Sequence, residues 1–279
     1  MTGPTARQES AASPLAIAEA FVAARRAARA LPGFPGEVPV TLDQGYAVQE
    51  QAIGLWGGEI VGWKVGKIPD DLVGPLGQTR VTGPIFRESF WLADAAGRTP
   101  VPVFVGGFAA VEAEFVYELL EAAPAGKLDW TLAEAEALKG QMRIGMEMAG
   151  SPLATINELG PTVVAADFGN NNGLILGGLL AGWGEFADAA YLCEAFVDGE
   201  RVGRGSAATI PGGPMESVRF LLEHTARRGR PLRAGQLIST GAATGIHDIG
   251  AGQLGRVTFG RHGEVGCRTF AATASGAGA

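Results

Sequence analysis

Val111-Glu-Ala-Glu-Phe-Val-Tyr117 is the stretch on which the reading of this chain turns. Val111, Phe115, Val116 and Tyr117 favour extended backbone, so the segment predicts a strand. Side chains along a strand alternate between faces, which puts Glu112 and Glu114 on the same one. Two carboxylates held that close repel, and burying them is costly unless something positive joins them. A hard divalent cation such as Mg²⁺ or Mn²⁺ takes oxygen ligands and would do so. A solvated strand edge carrying two exposed glutamates is the alternative, since Glu is mostly exposed. The pair alone leaves both open.

Other segments carry chemistry-bearing residues with the same ambiguity. Glu147, in Gly145-Met-Glu-Met-Ala-Gly-Ser151, is flanked by apolar residues. It reads as a third ligand from a different strand, or as the wet face of a half-buried one. Lys64, in Gly62-Trp-Lys-Val-Gly66, has glycines on both sides that permit close approach. It reads as a partly desolvated lysine with a lowered pKa, or as a surface lysine blunting an edge strand. Asp167-Phe-Gly-Asn-Asn-Asn-Gly173 reads as a pocket segment or an Asx-rich loop. Ser239-Thr-Gly-Ala-Ala-Thr-Gly245, with Thr240 and Gly241, reads as a carboxylate cradle or a plain glycine turn. Of the three histidines, His247 alone stands beside such a loop. Walker loop, dinucleotide fingerprint and Gly-x-Ser-x-Gly elbow are all missing from the sequence.

A chain of 279 residues with 47% hydrophobic content can bury a large core. A net charge of −7 and no basic cluster argue against nucleic acid as partner. Gly173 to Gly184, the longest apolar stretch, is too short to cross a membrane. Cys193 and Cys267 have no metal-type spacing, and the N-terminus lacks the apolar core of a signal peptide, so a reduced, cytoplasmic protein is expected. Residues 1–13 are expected to be disordered, 14–76 to form a helical arm, and 77–271 a β-rich metal-binding catalytic core, with a frayed tail to 279. Helices are expected over about 14–30, 42–57, 131–141 and 214–229.

Taken in order, these segments resemble the 2-oxopent-4-enoate hydratase and 4-oxalocrotonate decarboxylase group of the fumarylacetoacetate hydrolase superfamily. The resemblance runs from about residue 14 to 271. It is carried by Gly62-Trp-Lys-Val-Gly66, Val111-Glu-Ala-Glu114, Met146-Glu-Met-Ala-Gly-Ser151 and Ala166-Asp167. Gly203-Arg-Gly-Ser206 and Pro231-Leu-Arg-Ala-Gly-Gln-Leu-Ile-Ser-Thr-Gly241 extend it through the C-terminal half. The resemblance implies an α+β fold, a mixed β-roll core with an N-terminal helical region. It implies Mg²⁺ or Mn²⁺ on Glu112, Glu114 and Glu147, Lys64 as the catalytic residue, and Asp167, Thr240 and Gly241 against a small-molecule 2-oxo acid. A homo-oligomer, with association with a pathway decarboxylase, is implied as well.

The implied activity is hydration of a 2-hydroxy-2,4-dienoate or 2-oxo-alkenoate of the aromatic-catabolism type. Decarboxylation or C–C hydrolysis of a related 2-oxo acid is the alternative, and a non-catalytic metal-binding subunit is another. Three positions depart from the pattern. Val81, in Arg80-Val-Thr-Gly-Pro-Ile-Phe86, stands where the hydratases carry an acid. Pro152 replaces an Arg, and Ala242 a hydroxyl residue. These changes bear on the particular reaction and leave the carboxylates untouched.

Overall fold

The computed structural model describes residues 13–274; the expectations for 1–12 and 275–279 lie outside them. Ser13 accepts a bond from the Ala16 amide and Pro14 opens α1 (Pro14–Arg26), four residues shorter than expected. A capping box between Thr41 and Gln44 starts α2 (Leu42–Trp56), and Gly57 ends it in the left-handed region. These two helices pack on each other. Then come β1 (Ile60–Lys67), α3 (Asp70–Leu76), β2 (Arg80–Phe86), β3 (Phe90–Leu92) and β4 (Thr99–Val103). A 3-10 turn over Arg87–Ser89 separates β2 from β3.

The centre of the molecule is β5 (Phe108–Leu119), paired along its whole length with β6 (Gly140–Ser151). Between them α4 (Leu132–Ala137) is shorter than the helix expected there. The chain continues through α5 (Pro161–Ala166), β7 (Asn171–Leu179), β8 (Leu192–Val197), β9 (Glu200–Ser206) and α6 (Pro214–Arg227). It ends with β10 (Leu237–Ala242), β11 (His247–Asp248), β12 (Leu254–Thr258) and β13 (Glu264–Ala271).

Two sheets result. The larger runs β2-β1-β10-β5-β6-β7-β3, with β11 on β5; the smaller runs β4-β13-β12-β8-β9. Parallel pairs (β1 with β10, β3 with β7, β4 with β13) mix with antiparallel ones, as expected for a mixed β-roll. Val111, Ala113 and Phe115 on β5 join one core with Cys193, Ala195, Val257, Phe259 and Val265 of the smaller sheet. Phe115 and Phe259 meet edge-to-face with centroids 5.3 Å apart. Alternation then sends Glu112 and Glu114 to the opposite face. β2 is an edge strand, which is why it can hold Pro84. No helix among the described residues is long and apolar enough to cross a membrane.

Candidate metal and substrate site

Four neighbouring strands, β1, β10, β5 and β6, build the site. Register places Glu112 directly opposite Glu147, Glu114 opposite Gly145 and Ala242, and Lys64 opposite Ser239. Because β5 and β1 lie inside the sheet, the solvated-edge alternatives for the glutamate pair and for Lys64 do not hold. Glu112, Glu114, Glu147 and Lys64 are all buried, and so is the strand on which Glu147 was allowed a wet face.

One oxygen from each of Glu112, Glu114 and Glu147 lies within 4.8 Å of the others. Glu114 Oε2 accepts the Gly241 amide at 2.7 Å. Glu147 Oε1 accepts from Asn171 Nδ2 at 3.0 Å and lies 3.4 Å from Lys64 Nζ. Glu112 Oε1, Glu114 Oε1 and Glu147 Oε2 are buried and have no hydrogen-bond partner. All three carboxyls are held above the usual range. Burial is the main cause throughout; Glu147 repels Glu112, and Glu147 and Glu112 together repel Glu114. Three carboxylates and one ammonium would carry a formal charge of −2 among buried side chains. Three unsatisfied oxygens at that spacing fit a hard divalent cation, which prefers oxygen donors.

Lys64 Nζ donates to Asn170 Oδ1 at 3.0 Å, and Asn170 Nδ2 donates on to Asn157 Oδ1 at 3.0 Å. Burial by itself would push the Lys64 pKa down, but Glu147, Glu112 and Glu114 outweigh it and hold it above its ordinary value. The expected lowering is therefore reversed. Asn170 is fixed by an unusual turn: Phe168, Gly169 and Asn170 all have positive φ, at 54°, 65° and 54°. β2 passes so close over this turn that a Cβ on Gly83 would sit 1.8 Å from the Phe168 carbonyl oxygen.

A cavity of about 580 Å³ opens onto Lys64 and Glu112. Its walls are largely apolar, with Val65, Leu72, Val81, Val164 and Ile210, and exposed Asn157 and Glu158 also line it. Thr240 and Gly241 border it, although the Thr240 hydroxyl donates to the Phe115 carbonyl at 2.7 Å. Asp167 does not line the cavity. Its carboxylate accepts from Arg25 Nε at 2.6 Å and from Ser151 Oγ at 2.6 Å, tying α1 to the end of β6. His247 is also elsewhere, bonded to the Thr244 carbonyl at 2.9 Å. Sequence reasoning passed over Asn157 and Arg80, both of which line the cavity. In the sequence Arg80 stands out only as the neighbour of Val81.

No family model matches the chain, and no curated protein does either. Among solved structures, 4-oxalocrotonate decarboxylase from Pseudomonas putida G7, complexed with magnesium and adipate, aligns with a TM-score of 0.75 at 24% identity. The alignment covers 97% of this chain and 100% of that one. A second structure of that enzyme, with calcium and acetate, gives 0.73 at 23% identity over 96% and 100%. Fumarylpyruvate hydrolase from Pseudomonas aeruginosa, with Mn²⁺ and pyruvate, gives 0.53 at 18% identity over 75% and 89%. The chain thus has the fold of 4-oxalocrotonate decarboxylase, the fumarylacetoacetate hydrolase-like fold that the sequence resemblance implies.

Proposed function

We propose that this protein is a divalent-metal-dependent lyase of 2-oxo acids, with hydration of a 2-oxo-alkenoate or its dienol as its reaction. The observation that carries the reading is the buried trio Glu112, Glu114 and Glu147, with three unpartnered oxygens beside Lys64 at the end of a cavity. Glu112, Glu114 and Glu147 would hold Mg²⁺ or Mn²⁺, and the bound cation would draw electron density from the carboxylate and 2-oxo oxygens of the substrate. The remaining chemistry falls to the protein. Lys64, 3.4 Å from Glu147 Oε1 and bonded to Asn170, is placed to deliver a proton to the substrate carbon chain. Asn170 fixes the ammonium through its Oδ1. Gly241 spends its amide on Glu114 and so positions a ligand, while Thr240 and Ala242 border the substrate. Asn157 and Glu158 are exposed polar residues of the cavity wall, suited to take up water.

Decarboxylation is the second reading. Val81, buried in the cavity wall, supplies no acid or base, and an apolar wall favours loss of a carboxylate as neutral CO₂. The homo-oligomer, and the association with a decarboxylase, belong to the same proposal and are open to light scattering and co-purification. Calorimetry with oxalate, a flat dianion resembling a 2-oxo-acid enolate, tests the site: binding is expected with Mg²⁺ and lost with excess chelator. Product analysis by NMR then separates hydration from release of CO₂. Lys64→Met is expected to lower turnover by about 10²–10⁴-fold while oxalate still binds with Mg²⁺. Metal-independent oxalate binding would sink the proposal.

A further inference from the structure

The cavity is larger than the chemistry proposed for it requires. Its volume is about 580 Å³. At about 30 Å³ for each non-hydrogen atom, the share of a water molecule in the liquid, that space takes roughly 20 atoms. A five-carbon 2-oxo acid fills less than half of it.

Register decides what borders the remainder. Gly83 stands opposite Lys64, Val81 opposite Gly66 and Arg80 opposite Lys67. Alternation therefore puts Lys64, Gly66 and Val81 on one face of the sheet, and Lys67 and Arg80 on the other. A Cβ on Gly66 would lie 3.4 Å from Val81 Cγ1 and 3.5 Å from Lys64 Nζ, so the valine and the ammonium border the same space. Arg80 is held by Ser217 Oγ at 3.3 Å and by the Pro211 carbonyl. Lys67, half exposed, pairs with Asp70 at 2.9 Å.

Four further elements add apolar side chains to the wall. Leu72 comes from α3, Val164 from α5, Ile210 from the segment before α6, and Ile246 from the loop after β10. Val164 and Ile210 are buried and Leu72 is half-buried, but Ile246 is 49% exposed. An isoleucine that lines a cavity and still meets water gains from being covered by an apolar group.

We infer that the preferred substrate is a 2-oxo acid with a long apolar tail, and that Val81, Leu72 and Ile246 determine this specificity. This rests on the 2-oxo-acid reading of the site. With the 2-oxo acid end at the glutamate trio, the tail continues past Val81 toward Leu72 and Ile246. A carboxylate at the end of such a tail would give up its hydration against an apolar wall and is disfavoured.

The test is calorimetry on the Mn²⁺-loaded protein with 2-oxopentanoate, 2-oxooctanoate and 2-oxooctanedioate. Each methylene moved from water into an apolar site tightens binding about 4-fold, so the three added in 2-oxooctanoate are expected to give roughly 60-fold over 2-oxopentanoate. 2-Oxooctanedioate, equally long but ending in a carboxylate, is expected to bind more weakly than 2-oxooctanoate. Leu72→Asp combined with Ile246→Asp, at half-buried and exposed positions, is expected to close most of the gap between the two monocarboxylates. The wild-type comparison stands even if that variant does not fold. Equal wild-type affinities for 2-oxopentanoate and 2-oxooctanoate, or tighter binding of 2-oxooctanedioate, would overturn the apolar tail and leave the 2-oxo-acid reading intact. A gap that persists in the double variant would overturn the role of Leu72 and Ile246. Failure of all three ligands to bind in the presence of metal would sink the 2-oxo-acid reading and this inference with it.

Discussion

Asp167→Ala separates a structural carboxylate from a substrate-binding one. In the folded protein Arg25 Nε and Nη2 donate to the two Asp167 oxygens at 2.6 and 2.9 Å, and Ser151 Oγ donates to Oδ2 at 2.6 Å. Both charged side chains are buried. Arg25 also donates to the Gly150 carbonyl at 3.0 Å, and its guanidinium lies 5.2 Å from the Phe168 ring centroid. The arginine is therefore walled in and cannot swing to solvent when its partner is removed. Breaking a buried pair on one side costs about 3–5 kcal/mol, and the stranded Ser151 hydroxyl adds about 1 kcal/mol. At about 2–4 °C per kcal/mol for a domain of this size, the melting temperature should fall by roughly 8–24 °C. Thermal unfolding followed by circular dichroism, with Mg²⁺ present throughout, measures it. Arg25→Met combined with Asp167→Ala should regain part of the loss, because no uncompensated charge is left. Below the transition, folded Asp167→Ala should still bind oxalate with Mg²⁺, since Asp167 does not line the cavity. A variant that melts like the wild type yet fails to bind oxalate would refute this reasoning and give Asp167 a place at the substrate.

Three further expectations follow from the same structure. Wild-type protein should gain about 2.7 kcal/mol of stability at a Mn²⁺ concentration 100 times the dissociation constant; Glu112→Gln should lose most of that gain, and an unchanged metal-dependent shift in melting would remove Glu112 from the ligand set. His224, packed against Phe220 and Tyr46, has its pKa pushed down from 6.5 to about 3, first by burial and then by Arg228. A base whose folded pKa is depressed contributes stability above its unfolded pKa and loses it as pH falls, so His224→Gln should lose about 1–2 kcal/mol less than wild type between pH 7 and 5 in denaturant titrations. Parallel curves would place the histidine in solvent. Gly83→Ala would drive its Cβ into the Phe168 carbonyl, costing about 1–3 kcal/mol or more by overpacking; a neutral effect on urea unfolding would mean the turn under β2 yields easily.

Much of the site was legible because the strand period forces it. Glu112 and Glu114 share a face on any account of Val111–Tyr117, and alternation gave the core face to Val111 and Phe115. Burial was not legible, because it depends on which strands lie alongside: β5 is interior only once β10 and β6 have paired with it. The Lys64 pKa failed for a related reason. Flanking glycines correctly suggested burial, but the direction of the shift is set by three carboxylates arriving from β5 and β6. Asp167 was drawn to the site by its polar neighbours, and Asn170 and Asn171 in that segment do reach Lys64 and Glu147. Its own partner, Arg25, lies 142 residues earlier on α1, a distance no local pattern bridges. Short elements such as α3 and α5 offered too few turns for a period to show, and β7 was hidden in a glycine-rich apolar run.

The pairing of Glu112 with Glu147 across β5 and β6 has a consequence for how this chain can change over generations. Residues 120–139, which join the two strands, can lengthen or shorten without moving either carboxylate relative to the other, because the strands on both sides stay paired. One residue inserted between Glu114 and Leu119 would preserve every functional side chain and still turn Glu112 and Glu114 toward the smaller sheet. Descent must therefore conserve parity as well as identity: whether the count of residues between the strand end and the acid is odd or even.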